Sequence, residues 1–92
     1  MFGGLHGKGG QVSVAGRVAA TLTDWSMRLD PATREYVISA GLADVVAPYL
    51  SPQYRMEVRL QMTKRFWRWR NAAIEVDGTR MVARVTGEAD VL

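Results

Sequence analysis

From Gln11 onward, apolar and polar side chains alternate with a period of two. Val12 and Val14 flank Ser13, and Val18, Ala20 and Leu22 alternate with Ala19 and Thr21. Trp25, Met27 and Leu29 then alternate with Ser26, Arg28 and Asp30. Residues two apart share one face of a strand, so these runs predict half-buried β-strands. Gly16 separates the first two as a tight turn or a bulge. Asp30-Pro31-Ala32-Thr33 predicts a turn: proline presets φ and the Asp30 carboxylate bonds the backbone beyond it. Tyr36 to Ser39 returns as a short strand. The period changes from Gly41 to Leu50, where Leu42, Val45, Val46 and Tyr49 fall on one helical face, closed by Ser51-Pro52. One short helix over about residues 42–50 is expected.

The last third alternates most strictly. Tyr54, Met56, Val58, Leu60 and Met62 interleave with Arg55, Glu57, Arg59, Gln61 and Thr63. A turn near Met62 to Arg65 leads into a second long strand through Val76, and Asp77-Gly78 is a strong hairpin signal before Met81, Ala83 and Val85. Within the second strand the apolar phase moves from Trp67 and Trp69 to Ala72, Ile74 and Val76. One face must stay toward the core, so a bulge near Arg70-Asn71, or a strand passing between environments, is expected. With the bulge, both tryptophans are core and Phe66 turns outward. Without it, they lie exposed or at an interface. The bulged reading is preferred because most tryptophans are largely buried. The pattern as a whole predicts a mainly β fold, an antiparallel β-sandwich or small barrel of six to seven strands with one short helix.

Ninety-two residues make one domain near the small end of what folds alone. Met1 to Gly10 holds five of the nine glycines and no periodicity. It is expected to be a flexible N-terminal arm, leaving residues 11–92 as a single β domain. If the arm orders on a neighbouring subunit, Phe2 and Leu5 are its anchors. The absence of cysteine excludes disulfides and thiolate metal sites. His6 is the single histidine, so neither a nucleophile–base pair nor a metal-ligand cluster is expected, and no cofactor is implied. A non-enzymatic role follows as the expectation. No apolar run approaches the roughly 20 residues that cross a bilayer, and no secretory h-region precedes the strands, so no membrane partner is expected.

Charge adds one concentrated feature. Lys64 to Arg70 reads KRFWRWR, with two of the three tryptophans and four of the twelve cations. Between Tyr54 and Arg70, six cations face Glu57 alone, a local charge of +5 in a chain of +3, leaving −2 elsewhere. Such a stripe suits nucleic acid, because cations track phosphates while rings stack on bases. It also suits assembly, because basic and acidic regions of successive copies attract. Strand geometry divides the run: Arg65, Trp67 and Trp69 point one way, Lys64, Phe66, Arg68 and Arg70 the other.

TDWSMRL (Thr23 to Leu29), YRMEVRLQM (Tyr54 to Met62), RFWRWRNAAIEVDG (Arg65 to Gly78) and ARVTGEADV (Ala83 to Val91) together resemble small bacteriophage virion proteins of the tail-tube-like class. That resemblance implies an antiparallel β-sandwich with one flanking helix, a Trp-bearing strand after a turn, and an arm reaching the next subunit. It implies a tail tube, adaptor, baseplate or capsid-associated subunit, made in the host cytoplasm, whose partners are copies of itself and other virion proteins. Arg65, Phe66, Trp67, Arg68, Trp69 and Arg70, with Arg55 and Arg59, are the candidates for an interface or an anionic partner, since Arg and Trp favour interface hot spots. A β-barrel nucleic-acid-binding protein is the second reading, and a small inhibitor of a host protein the third.

Overall fold

The computed structural model describes residues 4–50 and 55–92. Eight β-strands follow one another: β1 (Leu5–Lys8), β2 (Gly10–Val14), β3 (Arg17–Asp30), β4 (Glu35–Ala43), β5 (Met56–Met62), β6 (Arg65–Asp77), β7 (Arg80–Val85) and β8 (Asp90–Val91). Six of them close an antiparallel barrel in the order β3-β2-β5-β6-β7-β4, with β4 returning to β3. β1 adds to β3 and β8 adds to β6. Closure removes most of the free edges that an open sheet would expose.

The turns follow local chemistry. Ala15-Gly16 joins Val14 to Arg17 with both residues at positive φ (50° and 78°), the backbone of a type I′ hairpin turn. The Asp30 carboxylate accepts the Ala32 N–H at 3.0 Å and the Asp30 carbonyl accepts that of Arg34, as the Asp-Pro signal predicts. β6 and β7 meet at Asp77 and Arg80, placing Gly78 in the loop at φ 61°.

The barrel interior collects the alternating apolar positions. Val12, Leu22, Trp25, Ile38, Met56, Val58, Leu60, Trp69, Ile74, Met81 and Val85 belong to one buried cluster. Each fully buried member of this size, such as Ile38 or Leu60, contributes about 1.5–3 kcal/mol. Three bulges keep the faces in phase. Thr23 and Asp24 together oppose Gly41, which moves the buried set of β3 from Leu22 to Trp25. A register shift at Val12/Ser13 lets both Ala19 and Ala20 be fully buried. Arg70 and Asn71 together oppose Glu57, so Trp69 and Ala72 face the same core.

The helix expected over 42–50 is absent. Leu42 and Ala43 finish β4, with Leu42 paired to Leu22 and buried. Asp44 sits at φ 50°, outside the right-handed helical region. Val45 and Val46 are exposed, and the Val46 N–H donates to Ala19 O at 2.7 Å. A single turn follows, in which the Tyr49 N–H reaches Val46 O, and Tyr49 and Leu50 pack over the barrel end. The helical spacing arises because a buried strand end and a capping turn meet in sequence. Pro48, which lacks an N–H, suits that turn better than a helix interior.

Of the glycine-rich segment expected as an arm, Leu5–Lys8 forms β1, and Phe2 lies outside the described residues. β1 and β2 are two halves of one kinked partner of β3, with register running from Leu5↔Met27 to Val14↔Arg17. The kink falls at Gly9 and Gly10, whose φ values of 88° and 134° suit glycine. Beyond it β2 pairs with β5, whereas β1 pairs with β3 alone.

Candidate functional site

The KRFWRWR run occupies the first half of β6, between β5 on one side and β8 on the other. The bulge at Arg70-Asn71 decides where its rings go. Trp69 is 5% exposed and Trp67 half-buried, both facing inward, while Phe66 is 38% exposed on the outer wall. The Trp69 indole N–H donates to Gly87 O at 3.2 Å. Trp67 meets Trp69 edge-on at 6.4 Å and 80°, and Tyr36 lies 6.3 Å from Trp69 at 48°. Trp69 is therefore a core ring and Trp67 packs half-buried against it, with Phe66 turned outward as the bulged reading expects.

The cations of the run are less free than the sequence suggests. Arg59 and Arg68 stand directly opposite each other on β5 and β6, a like-charge pairing that costs stability unless offset. Glu57 and Asp90 supply the offset. Arg59 Nε lies 3.0 Å from Glu57 Oε2, and Arg68 Nη2 lies 3.1 Å from Asp90 Oδ2. Arg68 Nε is buried without a hydrogen bond, and at 3.8 Å from Glu57 Oε1 its contact there is electrostatic only. Arg70 Nε reaches the same Asp90 oxygen at 3.4 Å, and Ser13 Oγ donates to Glu57 Oε2. Arg55 donates to the carbonyl of Asn71 and so braces the bulge.

Asp90 is the participant that sequence reasoning missed. It lies 22 residues from Arg68, and β8 delivers it by pairing Asp90 with Arg68 and Val91 with Trp67. The signal was an alternation too short to read as a strand. Lys64 and Arg65, at the β5–β6 turn, make no ion pair among the described residues.

Beside this network lies an apolar spot. Phe66 and Leu92 exchange backbone hydrogen bonds, the Leu92 N–H donating to Phe66 O at 2.8 Å. Cross-strand partners share a face, so the two side chains stand together on the outer wall, 38% and 47% exposed. Arg68 follows two residues along the same face of β6. Charge reversal at Arg68 would break its carboxylate contacts, so Phe66 is the cleaner position at which to probe this surface.

The inner face of the same strand opens at the barrel mouth. A crevice of about 350 Å³ is lined by Leu5, Met27, Tyr36, Trp67, Trp69, Glu88, Ala89 and Val91. Leu5, expected as an arm anchor, thus borders the mouth from β1. A second crevice, of about 370 Å³, separates β1 from the β5–β6 turn and reaches Trp25. The Trp25 indole N–H is buried with no partner, and a Cβ on Gly7 would stand 2.6 Å from Trp25 Cζ2. Gly7 is therefore the residue that lets β1 lie against this ring.

Asp24 and Asp30 hold the opposite wall. The Arg80 guanidinium, helped by the Thr23 hydroxyl, keeps the Asp24 carboxyl below its ordinary value, and the Ala32 N–H followed by Arg84 does the same for Asp30. Asp24 is exposed and Asp30 half-buried, and together they tie β3 to β7 over β4. Among the described residues, no group of three or more His, Cys, Asp or Glu is placed to hold a metal, and no helix is long and apolar enough to cross a membrane. Comparison with family models, curated proteins and solved structures finds no match to this chain.

Proposed function

We propose that this chain is a non-enzymatic virion structural subunit of the tail-tube-like class that works by homo-oligomeric assembly, with copies of itself and other virion proteins as partners. The observation that carries this reading is the outer wall of β5, β6 and β8. There Phe66 and Leu92 are exposed side by side, next to an arginine–carboxylate network already fixed in place. An apolar centre with ordered arginines at its rim has the make-up of an interface hot spot. Arginines held before contact lose little further rotamer entropy on binding. The resemblance of the four stretches to small phage virion proteins supplies the class.

Sedimentation velocity of the wild type and Phe66→Glu tests it. The variant is expected to weaken self-association by about 30-fold or more, the effect of losing a hot spot of roughly 2 kcal/mol. Equal self-association in both proteins contradicts the role of this wall.

Nucleic-acid binding is the second reading, favoured by Lys64 and Arg65 beside the half-buried Trp67. It is weaker because Arg59, Arg68 and Arg70 already hold carboxylates. Quenching of tryptophan fluorescence by an oligonucleotide at low salt would raise it, and no quenching removes it.

A further inference from the structure

We propose that the barrel mouth is a binding site for an organic cation, an alkylammonium or guanidinium group with an apolar stem. Trp67, Trp69 and Tyr36 stand in three different planes around the same crevice, with centroid separations of 6.3 and 6.4 Å. Rings in different planes present faces in more than one direction, and a cation is drawn to a ring face within about 6 Å. Leu5 and Met27 complete an apolar lining that fits a hydrocarbon stem.

Among the described residues, the one charged side chain at this mouth is Glu88. Its carboxylate forms no hydrogen bond or ion pair among the described residues, whereas the nearby Asp90 is engaged by Arg68 and Arg70. The bond from Trp69 to Gly87 O fixes the backbone immediately before Glu88, so the ring itself holds this residue at the rim of the mouth. An anion would meet Glu88 repulsively, and a neutral apolar molecule would leave it unused. A cation is served by both elements. The volume of about 350 Å³ falls in the lower range of small-molecule sites.

This inference does not depend on the assembly reading, because the mouth lies on the inner side of β6 and can be tested in monomeric protein. The experiment is a tryptophan-fluorescence titration with choline and with its neutral isostere 3,3-dimethyl-1-butanol. Choline is expected to give a saturable change about tenfold tighter than the isostere, and Glu88→Gln to remove most of that difference. Glu88 is exposed, so this variant folds as the wild type does. Trp67→Leu is expected to abolish the saturable change. Equal binding of the two probes, or no saturable change with choline, overturns the proposal. The source of the natural cation is read by repeating sedimentation with choline present. Dissociation of oligomers assigns the cation to a Lys or Arg of a second copy, and an unchanged state assigns it to a free organic cation, both in support of the site.

Discussion

The two ends of the barrel are finished differently. At the end near the Ala15-Gly16 turn, residues 45–50 fold back, the Val46 N–H reaches Ala19 O, and Tyr49 and Leu50 cap the core. Arg17 secures the cap through a 2.7 Å bond to the Tyr49 hydroxyl and a position 5.5 Å from its ring. Among the described residues, the other end has no such lid. β1 has one partner, the Trp25 indole N–H is buried unpaired, and the inward-facing Trp67 borders an open crevice. An unsatisfied buried donor costs about 1–3 kcal/mol, so the open end forgoes stability that the capped end retains. Binding surfaces are commonly drawn from the less stable part of a fold. The contrast assigns a structural role to the capped end and the candidate surfaces to the open one.

The largest effect is expected where the two ends meet. Trp69 joins the core to the mouth, and Trp69→Ala should destabilise the protein by about 3–5 kcal/mol in urea unfolding. A cost below 1 kcal/mol would mean that the ring is not the shared wall described here. Next, Gly7→Val drives a side chain into Trp25 and should cost about 1–3 kcal/mol. Amide exchange should accelerate in β1 while the Val46 N–H stays protected, and uniform acceleration would remove the distinction between the ends. At the capped end, Ala15→Asn should stabilise by about 0.5–1 kcal/mol, because Ala15 occupies a left-handed conformation that asparagine tolerates better. A loss of melting temperature would contradict the turn geometry.

The smallest effect is electrostatic. Asp24 and Asp30 have folded-state values lowered below 3.8, so their contribution is present above the unfolded value and is lost as pH falls through the lowered ones. Stability should therefore decline on acidification below about pH 4, and Asp24→Asn should flatten that decline slightly. An identical acid profile for the variant would show that Arg80 does not hold this carboxylate in solution.

Period-two alternation made the barrel legible where inward residues had polar outward neighbours, most strictly from Met56 to Leu60. It also located the bulge in β6, where Trp69 and Ala72 had to share a face across Arg70-Asn71. The same phase change between Leu22 and Trp25 marks the bulge opposite Gly41, so one continuous β3 replaces two shorter runs. The helix misreading has a local cause: Leu42 is a strand residue and Tyr49 a cap, and their seven-residue spacing reflects the end of the barrel rather than a helical turn. The candidate surface was half visible. Its aromatic and basic residues stand out in KRFWRWR, but the carboxylates that restrain them do not. Asp90 meets Arg68 only through a two-residue strand, and Glu57, next to Arg59 on the same face of β5, reaches Arg68 only because cross-strand register aligns the two strands. Such partners depend on long-range pairing, which a local pattern does not encode.

Electron microscopy of the purified protein across a concentration series tests the central claim most directly. The account predicts rings, tubes or other closed assemblies that are lost in Phe66→Glu while the variant remains folded. A wild-type protein that stays monomeric at every concentration would contradict it.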